Sequence, residues 1–190
     1  MAFKKMAATL CFLALAATAP QAFREKSPNE KRAEILQMRG ETLNELYNLR
    51  PDARDLIKSS VGYGVFSTKG MKILVAGGTS GKGVLVDQEK GHKTYMHMAQ
   101  VDVGLGYGIE DARFVFVFQD RRAMETFGTK GWDFSGKADL AASAQGAGGS
   151  LAGAVSFLPG VLVYQFTKNG LAATLTLQGT KFWPNEKLNS

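Results

Sequence analysis

One stretch of the chain, residues 61–109, constrains the fold most, because glycines interrupt short runs of Val, Ile, Leu and Tyr throughout it. Such punctuation is typical of β-strands joined by tight turns. Over residues 93–109 the alternation is nearly complete, and Tyr95, His97 and Ala99 fall on one face. Because a half-buried strand alternates in this way, we predict that this face points to the core.

The centre of this stretch is glycine-rich and reads GGTSGKGVLV over residues 77–86. A P-loop needs Gly, four residues, then Gly-Lys-Ser/Thr opening a helix, but Ala76 holds the first glycine position and Gly83 the hydroxyl position. The glycines within residues 104–108 alternate strictly, so that Ile109 stands where a dinucleotide fingerprint needs its third glycine. We therefore interpret these glycines as strand and turn residues.

The N-terminus has the layout of a secretory signal peptide. Lys4 and Lys5 precede an apolar run over residues 6–17, and small residues follow as far as Ala22. We predict a signal peptide over residues 1–22, with Ala19 as the alternative cleavage boundary. The remaining residues, 23–190, are then expected to form a single domain.

The predicted export changes the charge and the cysteine content. Removing Lys4 and Lys5 lowers the formal net charge from +6 to +4. A mildly basic domain favours contact with anionic headgroups, but no aromatic or Arg-rich platform indicates nucleic-acid binding. The single cysteine, Cys11, follows Leu10 rather than the small residue of a lipoprotein signal, and its loss leaves no disulfide.

Two helices are predicted to open the domain. Ser27, Pro28 and Glu30 form a capping box, so that a helix is expected from Pro28 to about Leu49. Its apolar positions are Ala33, Leu36, Leu43, Leu46 and Tyr47. Such a stripe packs on the core or lies on a membrane, and core packing is favoured here. A shorter helix is expected over residues 52–59, with Leu56 and Ile57 inward.

The rest of the chain is predicted to be mainly strand. Residues 113–119 are apolar on both faces, as in a central strand. A short helix is expected over residues 121–127 and a half-exposed strand over 132–140. The Asn-Gly pair within residues 168–170 predicts a hairpin between two alternating runs.

The uncharged stretch over residues 141–163 has the length of a membrane span. Its apolarity comes from Ala and Gly, and polar residues and Pro159 interrupt it, so we predict a close-packed strand and loop instead. Helices over about 28–59 followed by strands over about 62–179 predict an α+β fold, with N-terminal helices packed on a curved, mainly antiparallel, barrel-like sheet.

These segments together resemble the SYLF domain family. The order is a helix, VGYGVF, GGTSGKGVLV, VGLGYG, FVFVFQDRRAMETF and YQFTKNGLAATLTLQG, and the resemblance covers roughly residues 54–179. It implies the family's fold and, from its eukaryotic members, binding of phosphoinositides. Yeast members also bind actin, but an exported protein would not meet cytosolic actin, so actin is not expected as a partner.

Lys82 is the main candidate site residue. Gly81 and Gly83 flank it, so backbone amides and the ammonium group could approach one anion at a turn there. Lys69 and Lys72 are nearby basic residues that could add to a headgroup site. The alternative interpretation is a solvated turn lysine.

Residues for catalysis or metal binding are scarce. His92 and His97 are interpreted as structural, and Met96 and Met98 should point away from His97 on a strand, which argues against a copper site. No catalytic residue, metal or cofactor is predicted. An enzyme or a copper-binding protein is therefore a weak third alternative.

Two functional classes remain open from the sequence. The first is a non-catalytic protein of the bacterial periplasm or cell envelope that binds an anionic lipid or a membrane surface. The second is a structural or assembly protein that packs on itself or on an envelope partner through residues 146–153.

Overall fold

The computed structural model describes residues 25–68, 73–74, 78–101, 112–134, 150–151, 154–167, 170–171, 177 and 179–190. The predicted signal peptide, residues 1–22, lies outside these residues, and so do Lys69 and Lys72. Of the small-residue stretch 146–153, only Ser150 and Leu151 are described. The division into a signal peptide and one domain stays a prediction.

The described helices are α1 (Pro28–Leu49), α2 (Ala53–Lys58), α3 (Arg121–Lys130) and α4 (Glu186–Asn189). The predicted capping box of α1 is present, since the Ser27 hydroxyl accepts from the amide of Glu30 and the Glu30 carboxylate accepts from the amide of Ser27. Helix α3 begins after Asp120, whose carboxylate accepts from the amide of Ala123, and runs three residues beyond its predicted end. Among the described helices, none is long and apolar enough to span a membrane.

The described strands form one sheet: β1 (Gly62–Ser67), β2 (Ile73–Leu74), β3 (Gly78–Asp87), β4 (Lys93–Val101), β5 (Arg113–Phe118), β6 (Trp132–Asp133), β7 (Ser150–Leu151), β8 (Ala154–Leu158), β9 (Val161–Thr167), β10 (Gly170–Leu171) and β11 (Thr180–Pro184). Their order is β6-β11-β4-β3-β1-β5-β9-β8-β7, with β10 beside β9 and β2 beside β3. Every pairing among them is antiparallel. The predicted α+β class with a curved antiparallel sheet is therefore confirmed.

The core lies on both faces of this sheet. Strand β5 is central and all six of its residues are buried, as predicted. Its Val115 and Val117 belong to the core under α1, on what we call the α1 face. Its three phenylalanines belong to an aromatic core on the opposite side, the α3 face, where Phe116 lies 5.4 Å from the ring of Phe127 in α3. Strands β9 and β10 pair on either side of residues 168–169, as the predicted hairpin requires.

Two predicted burial patterns are wrong in detail. In α1, Ala33 is exposed and Ile35 is buried instead, because the stripe that faces the sheet is offset from the one predicted. In β4, Tyr95 on the predicted face is buried, but His97 and Ala99 on the same face are only half-buried. The opposite face carries Met96 and Met98, which are fully buried because they fill the aromatic core beneath α3.

Candidate functional site

Three side chains from distant parts of the sequence form a row across the α1 face of the sheet. Lys82 in β3 is the register partner of His97 in β4, and His97 is the register partner of Trp183 in β11. Because register partners on adjacent strands point to the same face, about 5 Å apart, these side chains lie side by side.

This row forms the floor of a groove with a volume of about 910 Å³. One wall is the N-terminal half of α1 with the residues just before it, and the other wall is α4 with the end of β11. Among the described residues, the groove is lined by four lysines and three glutamates, so it carries a net positive charge. The lysines are Lys26, Lys31, Lys82 and Lys187.

The ammonium group of Lys82 already has one partner inside the protein. Its Nζ lies 3.3 Å from Oε2 of Glu34 in α1, and the same carboxylate contacts Lys26. Hydrogen bonds from Lys26 and then from Lys82 lower the pKa of Glu34. Because both side chains are about one-third exposed, water screens the pair between Lys82 and Glu34, and the pair contributes little to stability. An external anion could therefore compete with Glu34 at little cost to the fold.

A stacked pair of rings continues the floor beyond Lys82. The rings of His97 and Trp183 have centroids 5.3 Å apart and planes inclined at 30°. Both side chains are half-buried, and burial lowers the pKa of His97. Met96 and Met98 point to the opposite face, so the sheet separates His97 from the two methionine sulfur atoms that a copper site there would need. In the described part of the chain, no three His, Cys, Asp or Glu side chains are grouped as metal ligands.

The turn predicted at Gly81 and Gly83 is wrong. Both lie within strand β3 rather than in a turn, and neither has a positive φ angle. They point to the α3 face, away from Lys82: a Cβ atom on Gly83 would lie 2.2 Å from the ring of Phe66. The lack of a Cβ atom at these two positions therefore makes room for Phe66 and Met98, although Gly81 also lines the groove.

Comparison with known proteins finds a family match in the C-terminal part of the chain. Residues 99–190 match the family model described as Ysc84, Las17-binding protein actin regulator. Residues 99–190 are a SYLF domain of the Ysc84 family. A curated relative, Beta cell expansion factor A from Aeromonas veronii, is 27% identical over 163 residues, which cover 86% of this chain and 60% of the relative. The chain thus spans about 60% of the length of that relative.

The matched region supplies one wall of the groove and half of its ring pair. Trp183 and α4 lie inside residues 99–190, whereas Lys82, His97 and α1 precede them. In this SYLF domain, α4 is fixed to the sheet edge by Asn189, whose side-chain amide donates to the carbonyl of Tyr95 and whose oxygen accepts from the amide of Tyr95.

Helix α1 is held over the sheet by a second ion pair. Arg113 lies in the same cross-strand row as Lys82, two strands away, and its side chain is 5% exposed. Its guanidinium group lies 3.3 Å from the carboxylate of Glu45 in α1. The pairs Lys82–Glu34 and Arg113–Glu45 thus tie two parts of α1 to one row of the sheet.

Of the predicted site residues, the structure places Lys82 beside the groove, as predicted. Gly81 also lines the groove, although a Cβ atom on Gly81 or Gly83 would point to the opposite face. Lys69 and Lys72 lie outside the described residues. Sequence reasoning missed Trp183 and α4. A signal for α4 was available, because Asn185 is a good N-cap residue and Glu186 is favoured in a first turn.

Proposed function

We propose that this SYLF protein is a non-catalytic protein that binds anionic lipid headgroups in the groove between α1, the β3-β4-β11 floor and α4. The observation that carries the proposal is the position of Lys82 on the floor of a groove with a net positive charge. Its ion pair with Glu34 is partly exposed, so an external anion can compete with the Glu34 carboxylate. An anionic headgroup would take the place of the Glu34 carboxylate at Lys82. The resemblance to phosphoinositide-binding SYLF proteins agrees with this ligand class.

The same proposal includes the location of the protein. Residues 1–22 act as a signal peptide, and the mature protein works in a bacterial cell envelope, where it meets anionic lipid. The actin named in the family description does not carry over to an exported protein. N-terminal sequencing of the mature protein should begin after Ala22 or, alternatively, after Ala19. A mature protein that begins at Met1 would contradict export by this route.

Two substitutions with opposite expected effects test the groove. Lys82→Ala should weaken binding to anionic vesicles about fivefold, because one lysine near a membrane surface contributes about 1 kcal/mol. Glu34→Gln should strengthen binding, because it frees Lys82 and Lys26 from an internal carboxylate without changing the shape of the side chain. Both effects should shrink at high salt, since exposed charges are screened.

The matched control is Lys58→Ala, which removes the same charge from an exposed lysine that does not line the groove. Binding is measured by co-sedimentation with phosphatidylcholine vesicles that contain or lack phosphatidylglycerol, and folding is checked by circular dichroism. The proposal is wrong if the parent protein does not prefer the anionic vesicles. It is also wrong if Lys82→Ala and Lys58→Ala bind equally well.

A further inference from the structure

The groove has two chemically different parts. At one end of its floor lies the ammonium group of Lys82, with Lys26 and Lys31 on the α1 wall. At the other end lies the ring pair of His97 and Trp183. Since Lys82 and Trp183 are two strands apart, their backbones are separated by about 10 Å.

The size of the groove suits one small molecule. Ligand sites in proteins usually enclose about 300–1,000 Å³, and the volume of this groove falls near the top of that range. The ring pair lies on the floor between the two walls, so a bilayer headgroup that reaches only Lys82 would leave the rings uncovered. A discrete molecule could instead contact Lys82 and Trp183 at the same time.

We propose that His97 and Trp183 are the specificity-determining part of the groove floor and that the groove takes up single amphipathic anions: the charged group lies beside Lys82 and the adjoining carbon chain lies on the ring of Trp183. This inference rests on the proposed function and extends it, because it names a molecule removed from the membrane rather than the membrane surface. The half-buried rings offer the carbon chain of the ligand an apolar contact, and inorganic phosphate has no carbon chain that could make it. Each methylene group buried there should raise the affinity about fourfold.

The two tryptophans of the chain allow a direct test. Trp132 packs in the aromatic core of the α3 face, 4.6 Å from the ring of Phe127, whereas Trp183 lies in the groove. In a Trp132→Phe variant, Trp183 is the remaining tryptophan, and its emission reports on the groove. The probes are inorganic phosphate, butyl phosphate and octyl phosphate, each kept below its micelle concentration, with octanol as the uncharged probe.

Octyl phosphate should bind one molecule per protein and change the emission of Trp183. Butyl phosphate should bind more weakly, and inorganic phosphate and octanol at least tenfold more weakly than octyl phosphate. By calorimetry, Lys82→Ala and Trp183→Leu should each weaken octyl phosphate binding, while Trp132→Leu should leave it unchanged. His97→Ala is the second groove variant, in case Trp183→Leu does not fold.

Equal affinity for inorganic phosphate and octyl phosphate would overturn the inference, and so would binding of many octyl phosphate molecules per protein. Anionic vesicles separate this inference from the proposed function. If the vesicles bind with dependence on Lys82 but octyl phosphate does not bind, the headgroup site stands and the single-molecule site is wrong. If neither binds, both are wrong.

Discussion

The two glycines beside Lys82 provide the sharpest test of how this region is built. A Cβ atom on Gly83 would lie 2.2 Å from Cδ1 of Phe66 and 2.5 Å from the carbonyl oxygen of Val65. A Cβ atom on Gly81 would meet only moderate crowding, at 3.0 Å from the carbonyl oxygen of Ser67. The substitutions Gly83→Ala and Gly81→Ala therefore differ in severity although the positions are two residues apart on one strand.

The expected magnitudes follow from these contacts. Overpacking a core costs about 1–3 kcal/mol, and Gly83→Ala belongs at the upper end because the Val65 carbonyl is part of the paired strand β1 and cannot rotate away. Replacing glycine within a strand returns about 0.5–1 kcal/mol of backbone entropy. Gly83→Ala should thus lose about 2 kcal/mol of unfolding free energy. For Gly81→Ala the two effects nearly cancel, and the change should stay within about 0.5 kcal/mol.

Urea unfolding followed by circular dichroism measures both changes. With a slope of about 2 kcal/mol per molar, Gly83→Ala should lower the midpoint by about 1 M urea, while Gly81→Ala should leave it nearly unchanged. Both variants, when folded, should bind anionic vesicles as the parent does, because both positions point to the α3 face. The reasoning is refuted if Gly83→Ala is as stable as the parent. It is also refuted if Gly81→Ala loses vesicle binding at unchanged stability, which would restore the anion-cradle role first assigned to the glycines.

The elements that were predictable from the sequence are those with local signals. The capping box at Ser27 and the Asn-Gly pair at residues 169–170 each specify a structure within a few residues. The doubly apolar run of β5 predicts a central strand, whatever its neighbours are. Burial was less predictable, because periodicity does not say which face a neighbouring helix covers. Met96 was therefore missed as a core residue of β4.

The groove could not be predicted in the same way, because its parts meet only through strand pairing. His97 and Trp183 are adjacent because β4 pairs with β11 in one register, and a shift of one residue would place Trp183 on the other face. No local pattern specifies that register. Lys82 was predicted to lie beside a groove because its flanking glycines were expected to form an open turn. In the structure these glycines lie in a strand, and a Cβ atom on either would meet Phe66 or Met98 on the opposite face. Binding by Lys82 itself stays a prediction.

Two further predictions concern titratable groups. Hydrogen bonds from Arg121 lower the pKa of Asp87 from 3.8 to about 2, so its charge stabilises the fold above pH 3.8 and this stability is lost as the pH falls toward 2. Asp87→Asn should cost about 2 kcal/mol at neutral pH and little near pH 2 in urea unfolding; an equal cost at both would contradict a charge effect. For His97, burial lowers the pKa below 6.5, so the folded state favours the neutral ring. The contribution of the neutral His97 ring to stability is therefore fully present above pH 6.5, and it is lost as the pH falls through the lowered pKa of His97 in the folded state. His97→Gln should flatten the pH dependence of stability between pH 7 and pH 5, with His92→Gln, at an exposed histidine, as the matched control. If both variants keep the parent's pH profile, burial beside Trp183 does not favour the neutral ring.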